Sequence, residues 1–119
     1  MVTWIWVFAL GGAGATLRFL VDGAISGRLD RAFPFGTLVV NVSGAVLLGG
    51  LAGLALDPDA ALLAGTATVG SYTTFSTWMF ETERLGEDTQ VLPAAANVAV
   101  SLILGVAAAA LGRMVGGWL

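Results

Sequence analysis

Four long apolar runs, joined by short polar connections, take up nearly the whole of this 119-residue chain. A helix crossing the hydrocarbon core of a bilayer needs about twenty apolar residues, and the runs fall at roughly 2–21, 35–56, 60–80 and 91–115. The pattern predicts an all-α membrane protein with a single four-span domain over residues 1–119. Composition argues the same way: 57% of residues are hydrophobic and 11% charged, where a soluble domain carries about 25% charged residues. So few charges cannot cover a water-facing surface, and lipid must take the place of water.

The start of the first run imitates a signal peptide, because Ala13-Gly14-Ala15 has the look of a small-residue cleavage site. No positive charge precedes Arg18, however, and a signal peptide opens with a basic region. The run is therefore expected to be a span. A polar connection from Asp22 to Pro34 follows, with Arg28, Asp30 and Arg31. Asp57-Pro58-Asp59 predicts a tight turn, which would make the second and third spans antiparallel neighbours. Glu81 to Gln90 forms an acidic connection, and Trp4, Trp6 and Trp118 stand near chain ends, where an interfacial belt would place them. Arg18, Arg28, Arg31 and Arg84 against Arg113 favour both termini outside by a small margin. So weak a bias is compatible with insertion both ways up, and hence with antiparallel dimers.

The chain has no cysteine and no histidine, and its formal charge is −3. Disulfides, zinc sites and thiol or imidazole catalysis are excluded within one chain, and there is no basic stripe for nucleic acid. An enzyme is not expected. Gly12-Ala13-Gly14 lacks the third glycine of a dinucleotide fingerprint, and the glycosylation-like Asn41-Val42-Ser43 lies inside an apolar run. The seventeen glycines would weaken helices in water by roughly 1 kcal/mol each, but in lipid small residues let backbones approach closely. Gly11, Gly12, Gly14 and Ala15 form one such patch. Gly44, Gly49, Gly50 and Gly53 form another, and Gly105 with Ala107 to Ala110 a third.

The polar residues inside the runs carry the functional information. Thr37 and Asn41 are four apart and share a helix face, and Asn97 and Ser101 repeat that spacing. Each pair suits interhelical hydrogen bonding as well as the lining of a path. In the third run, Gly70-Ser71-Tyr72-Thr73-Thr74-Phe75-Ser76-Thr77 has six hydroxyl side chains in eight positions. Hydroxyl side chains offer the backbone competing hydrogen bonds and glycine weakens a helix, so a break is expected over Gly70 to Thr74. Carbonyls freed there must be buried in protein or bind an ion, and broken spans mark ion or substrate sites in transporters. With no Arg or Lys in mid-span, an anion path would rely on the Asn41 amide, hydroxyls and the positive edges of Phe75 and Trp78. A four-helix multidrug exporter is the main rival, but it requires a carboxylate in mid-membrane, and Asp22 stands only at the end of the first run. A subunit with a purely structural role would leave the hydroxyl-rich run unexplained.

These residues resemble the Fluc (CrcB) fluoride channels over essentially the whole chain. Gly11-Gly12-Ala13-Gly14-Ala15 with Arg18 is similar to that family's first-helix pattern, and Gly36 to Gly44 to its second-helix motif. Gly70 with Thr73-Thr74-Phe75-Ser76-Thr77 resembles its third-helix signature, and Asn97 to Gly105 is compatible with its fourth helix. The resemblance implies passive fluoride export across the cell's inner (plasma) membrane, lowering cytoplasmic fluoride. It also implies an antiparallel, dual-topology dimer with two pores at the subunit interface. The dimer would be either a homodimer or a pairing with an oppositely oriented paralogue. Asn41 would be the pore amide and Phe75 a ring whose edge faces fluoride, with Thr37, Thr74, Ser101 and Trp78 as pore neighbours. Gly70 and Thr73 would give main-chain carbonyls to a central structural sodium ion shared by both subunits, and Arg18 and Glu81 would lie at the vestibule. Trp78 departs from the pattern, since the family usually has a second Phe there. The indole keeps a positive edge and adds an N–H donor, but it is larger.

Overall fold

The computed structural model describes residues 2–29 and 33–119, and the described residues form helices and no strand. In chain order these are α1 (Val2–Arg28), α2 (Phe35–Leu54), α3 (Pro58–Ala61), a π-helical stretch (Leu62–Val69), α4 (Gly70–Tyr72), α5 (Ser76–Glu87) and α6 (Val91–Trp118). Three of them, α1, α2 and α6, are long and apolar enough to cross a membrane. Large apolar side chains such as Phe8, Phe19, Leu92 and Ile103 stand exposed on them, as suits helices solvated by lipid. The protein is a multi-pass membrane protein. Asp30 and Arg31, expected in the first connection, lie outside the described residues.

The helix ends depart from the apolar runs for local reasons. α1 continues about two turns past Val21 because its polar end still suits a helix. There Ser26 donates to the Asp22 carboxylate (3.2 Å), and Arg28 stands in the last turn, where the helix dipole favours a cation. α2 stops at Leu54 because Ala55 turns left-handed (φ 52°, ψ 52°) and donates back to the Ala52 carbonyl. Asp57 caps a helix: its carboxylate accepts the Ala60 N–H at 2.9 Å, with Pro58 at the first helical position. Most of the acidic connection is helical too, since α5 runs to Glu87 before Thr89 (φ 59°) turns the chain into α6.

The π-helical stretch had no counterpart in the sequence pattern. Its wider turns are visible in two hydrogen bonds spanning five residues, from the Gly70 N–H to the Gly65 carbonyl and from the Thr68 hydroxyl to the Leu63 carbonyl (2.8 Å).

Packing is densest between α2 and α6, while α1 lies against α2, the π-helical stretch and α4. Glycines make the α2–α6 seam. A Cβ at Gly112 or Gly116 would meet the backbone of Val46 or Gly50, and one at Gly49 or Gly53 the backbone of Ala109, Arg113 or Gly116. Gly14 fits against the Thr68 carbonyl and Ser71, and Gly44 against Thr73. At Gly12 and Gly105, by contrast, a Cβ would meet nothing within 4 Å, so within one chain they are not packing glycines.

Candidate functional site

Between α4 and α5 three residues leave the helix, and the hydrogen bonds there explain why. Thr73 is extended (φ −79°, ψ 162°). The Thr74 N–H, which would serve the Gly70 carbonyl in an uninterrupted helix, donates instead to Asn41 Oδ1 at 2.8 Å. Asn41 Nδ2 in turn donates to the Thr74 carbonyl at 2.8 Å. The Thr77 N–H goes to Thr74 Oγ1 (3.2 Å) rather than to the Thr73 carbonyl. Side chains thus replace the main-chain ladder on both sides of the gap. Gly70 itself is helical, as are Ser71 and Tyr72, so the departure falls at Thr73 to Phe75 and owes nothing to glycine flexibility.

Among the carbonyls that lose their helical donors across the gap are those of Gly70 and Thr73. The first keeps only a long contact from the Thr73 hydroxyl (3.5 Å). The second accepts from Arg18 Nη1 at 3.2 Å, so the α1 guanidinium reaches the gap directly. Among the described residues no group of three or more acidic, His or Cys side chains is placed to hold a metal.

Thr74 lines two cavities. One, of about 300 Å³, has Asn41, Thr73, Phe75 and Trp78 around it. The other, of about 240 Å³, is bordered by Arg18, Asp22, Thr37 and Thr77. The Phe75 and Trp78 rings meet edge to face, with centroids 5.7 Å apart at 79°. Phe75 is 70% exposed, so its ring faces away from the body of the single chain. The Trp78 N–H, in contrast, is taken: it donates to the Asn97 carbonyl at 3.2 Å.

Thr37 is buried and donates to Glu81 Oε1, which ties that carboxylate to α2. Glu81 is the first residue beyond the third apolar run. Burial raises its carboxyl above the usual range, Thr37's hydrogen bond opposes this, Asp22's negative charge adds to it and Arg84 opposes it. Ser101 lines neither cavity. Its Oγ is buried and, like Asn97 Oδ1 one turn earlier, has no hydrogen-bond partner among the described residues.

Two side chains at the site were given no role from sequence. Tyr72 is buried, with its hydroxyl 2.9 Å from that of Ser43. Thr82 accepts from Asn97 Nδ2 and donates to the Trp78 carbonyl, both at 2.8 Å. It lies four residues after Trp78 on the same helix face, but its partner on α6 is not visible in local order.

The family described as CrcB-like protein, Camphor Resistance (CrcB), matches residues 5–113. Fluoride-specific ion channel FluC 2 of Mycobacterium tuberculosis (strain ATCC 25618 / H37Rv) is 63% identical over 112 residues, covering 94% of this chain and 89% of that protein. The protein of the same name from Mycolicibacterium paratuberculosis is 61% identical over 113 residues, 95% and 93% of the two chains. Fluoride-specific ion channel FluC 1 of Frankia casuarinae is 44% identical over 120 residues, 93% of each. With helices, gap and side-chain splint in place and a match across nearly its full length, the chain belongs to the CrcB family.

Proposed function

We propose that this protein is a fluoride-selective channel through which the anion leaves the cell passively, down its gradient. It is not an enzyme. The observation that carries the reading is the paired exchange between the Asn41 amide and the Thr74 backbone, set beside the edge-to-face rings of Phe75 and Trp78. An amide has two N–H donors. One holds the gap, and the other is left for a ligand in the cleft. The cleft around Asn41, Thr74 and Phe75 has only neutral linings. Fluoride losing its hydration finds N–H, hydroxyl and ring-edge donors there, with no fixed cation in the lining to trap it. The relatives named as fluoride-specific channels support the same substrate. A proton-coupled exporter of cationic drugs needs a carboxylate where its substrate binds, and this cleft offers none.

In this reading residues 60–80 form the third of four spans, interrupted at Thr73 to Phe75, and the chain works as an antiparallel dimer in the cell membrane. Exposure of Phe75 in the single chain supports a partner on that side, whether a second copy or an oppositely oriented paralogue. Asn41, Thr37, Thr74, Phe75, Trp78 and Ser101 would serve the anion path, and Arg18 and Glu81 its mouth. The Gly70 carbonyl suits a structural sodium ion, since its helical donor is diverted and only a long hydroxyl contact remains. Thr73 offers a second oxygen, shared with Arg18. These two main-chain oxygens would hold the ion, and its charge would compensate the Gly70 carbonyl dipole that the interrupted helix no longer serves.

The test is fluoride efflux from liposomes holding the purified protein, read with a fluoride electrode, with chloride efflux as comparison. Fluoride should leave far faster than chloride, and replacing Asn41 or Phe75 by alanine should abolish or strongly reduce the flux. Vesicles that retain fluoride would refute the channel. If both variants conduct as the parent does, the path lies elsewhere in the protein.

A further inference from the structure

Trp78, Asn97 and Thr82 close a circuit of three hydrogen bonds between α5 and α6. The Trp78 indole N–H donates to the main-chain carbonyl of Asn97 (3.2 Å), Asn97 Nδ2 to Thr82 Oγ1 (2.8 Å), and the Thr82 hydroxyl to the main-chain carbonyl of Trp78 (2.8 Å). A hydroxyl has one proton, and Thr82 gives it to Trp78, so Thr82 can only accept from Asn97. That fixes the amide orientation: nitrogen toward α5, oxygen away. Asn97 is 1% exposed, and its Oδ1 is left without a donor among the described residues. An unpaired buried acceptor costs about 1–3 kcal/mol, so the orientation is held against a penalty.

The consequence falls on the cleft. Trp78 borders it with Asn41, Thr74 and Phe75, and a free indole N–H there would be a far stronger donor to an anion than a ring edge. Conduction requires a ligand held weakly enough to leave. We propose that Thr82 and Asn97 are positioning residues that keep the Trp78 N–H turned onto α6, so that the indole presents only its carbon edge to the anion path. The proposal rests on the fluoride reading and names what lets this chain use a tryptophan in that place.

Fluoride efflux from liposomes is measured for Thr82→Val, Thr82→Ser and Asn97→Leu, each with Trp78 intact and each in a Trp78→Phe background, which has no N–H to release. With Trp78 intact, Thr82→Val or Asn97→Leu should slow fluoride about tenfold, and Thr82→Ser, which keeps the hydroxyl, should restore the rate. With the Trp78→Phe protein as its own baseline, the same substitutions should change the rate less than about twofold. Equal losses in both backgrounds would overturn the proposal, because they would show a merely structural role. A second readout needs no transport. In a protein whose Trp4, Trp6 and Trp118 are replaced by phenylalanine, Trp78 emission should shift with Thr82→Val and stay in place with Thr82→Ser. Emission unmoved by Thr82→Val would also overturn the proposal. If the parent protein passes no fluoride, the channel reading fails, and the emission series still decides whether the circuit holds the indole.

Discussion

The α2–α6 seam and the Thr73–Phe75 gap hold the protein together by opposite means. The seam depends on missing side chains. Gly49, Gly53, Gly112 and Gly116 bring two backbones into contact, and dispersion over that length replaces the hydrophobic drive that lipid removes. The gap depends on particular side chains, since Asn41, Thr74 and Arg18 each satisfy a main-chain group that the helix no longer serves. Any added atom injures the seam, whatever its chemistry. The gap tolerates volume better than it tolerates a lost donor or acceptor.

Substitutions can pull this contrast apart. The largest effect is expected from Gly112→Ala, whose methyl meets the Val46 backbone with no flexible side chain to move aside. A loss of about 3 kcal/mol or more should show as a lower melting temperature in detergent, with chloride exclusion unaffected in whatever protein folds. Asn41→Ala should cost less stability, about 2 kcal/mol for two hydrogen bonds at about 1 kcal/mol each, yet remove fluoride flux. A variant that melts early but conducts, set beside one that folds but does not, would sharpen the division. If Asn41→Ala melts lower than Gly112→Ala, the division is wrong.

A smaller effect concerns Glu81, whose carboxyl is raised mainly by burial. A raised acid binds its proton more tightly when folded, so its favourable contribution is complete below the unfolded value of 4.5 and is lost as pH rises through the folded value. Glu81→Gln should therefore melt slightly higher than the parent at neutral pH, with the advantage vanishing below pH 4.5. The same melting curves across pH check it. The least change is expected from Gly86→Ala in α5, where nothing lies within 4 Å and the backbone is helical. Better helix propensity should raise stability by up to about 1 kcal/mol, the reverse of Gly112→Ala.

Apolar runs were enough to read the helical class and most of each long helix, because lipid imposes a length and a composition on every span. Their ends were less legible. Asp22 to Arg28 are polar, so hydropathy placed them in a connection, while the Ser26–Asp22 hydrogen bond and the dipole keep them helical. At the site, residue types pointed to Asn41, Thr74 and Phe75, but their arrangement was not written in local order. Asn41 and Thr74 are joined across 33 positions, and only folding shows that Asn41 Oδ1 diverts the Thr74 N–H. Gly70 drew attention as the helix breaker, yet it is an ordinary helical residue there. Thr82 was missed because a single threonine near an acidic stretch looks like a solvated face until its partner on α6 is known.

The π-helical stretch from Leu62 to Val69 has one more consequence, which concerns angular phase. Each residue of an α-helix advances the chain by about 100°, and wider turns delay that advance, so everything after Val69 is rotated relative to a regular helix begun at Pro58. Tyr72 meets Ser43 and Ser71 packs beside Gly14 with that rotation in place. A one-residue deletion within 62–69 would reset the angle and swing the polar end of α4 toward lipid, although no residue at the site itself had changed.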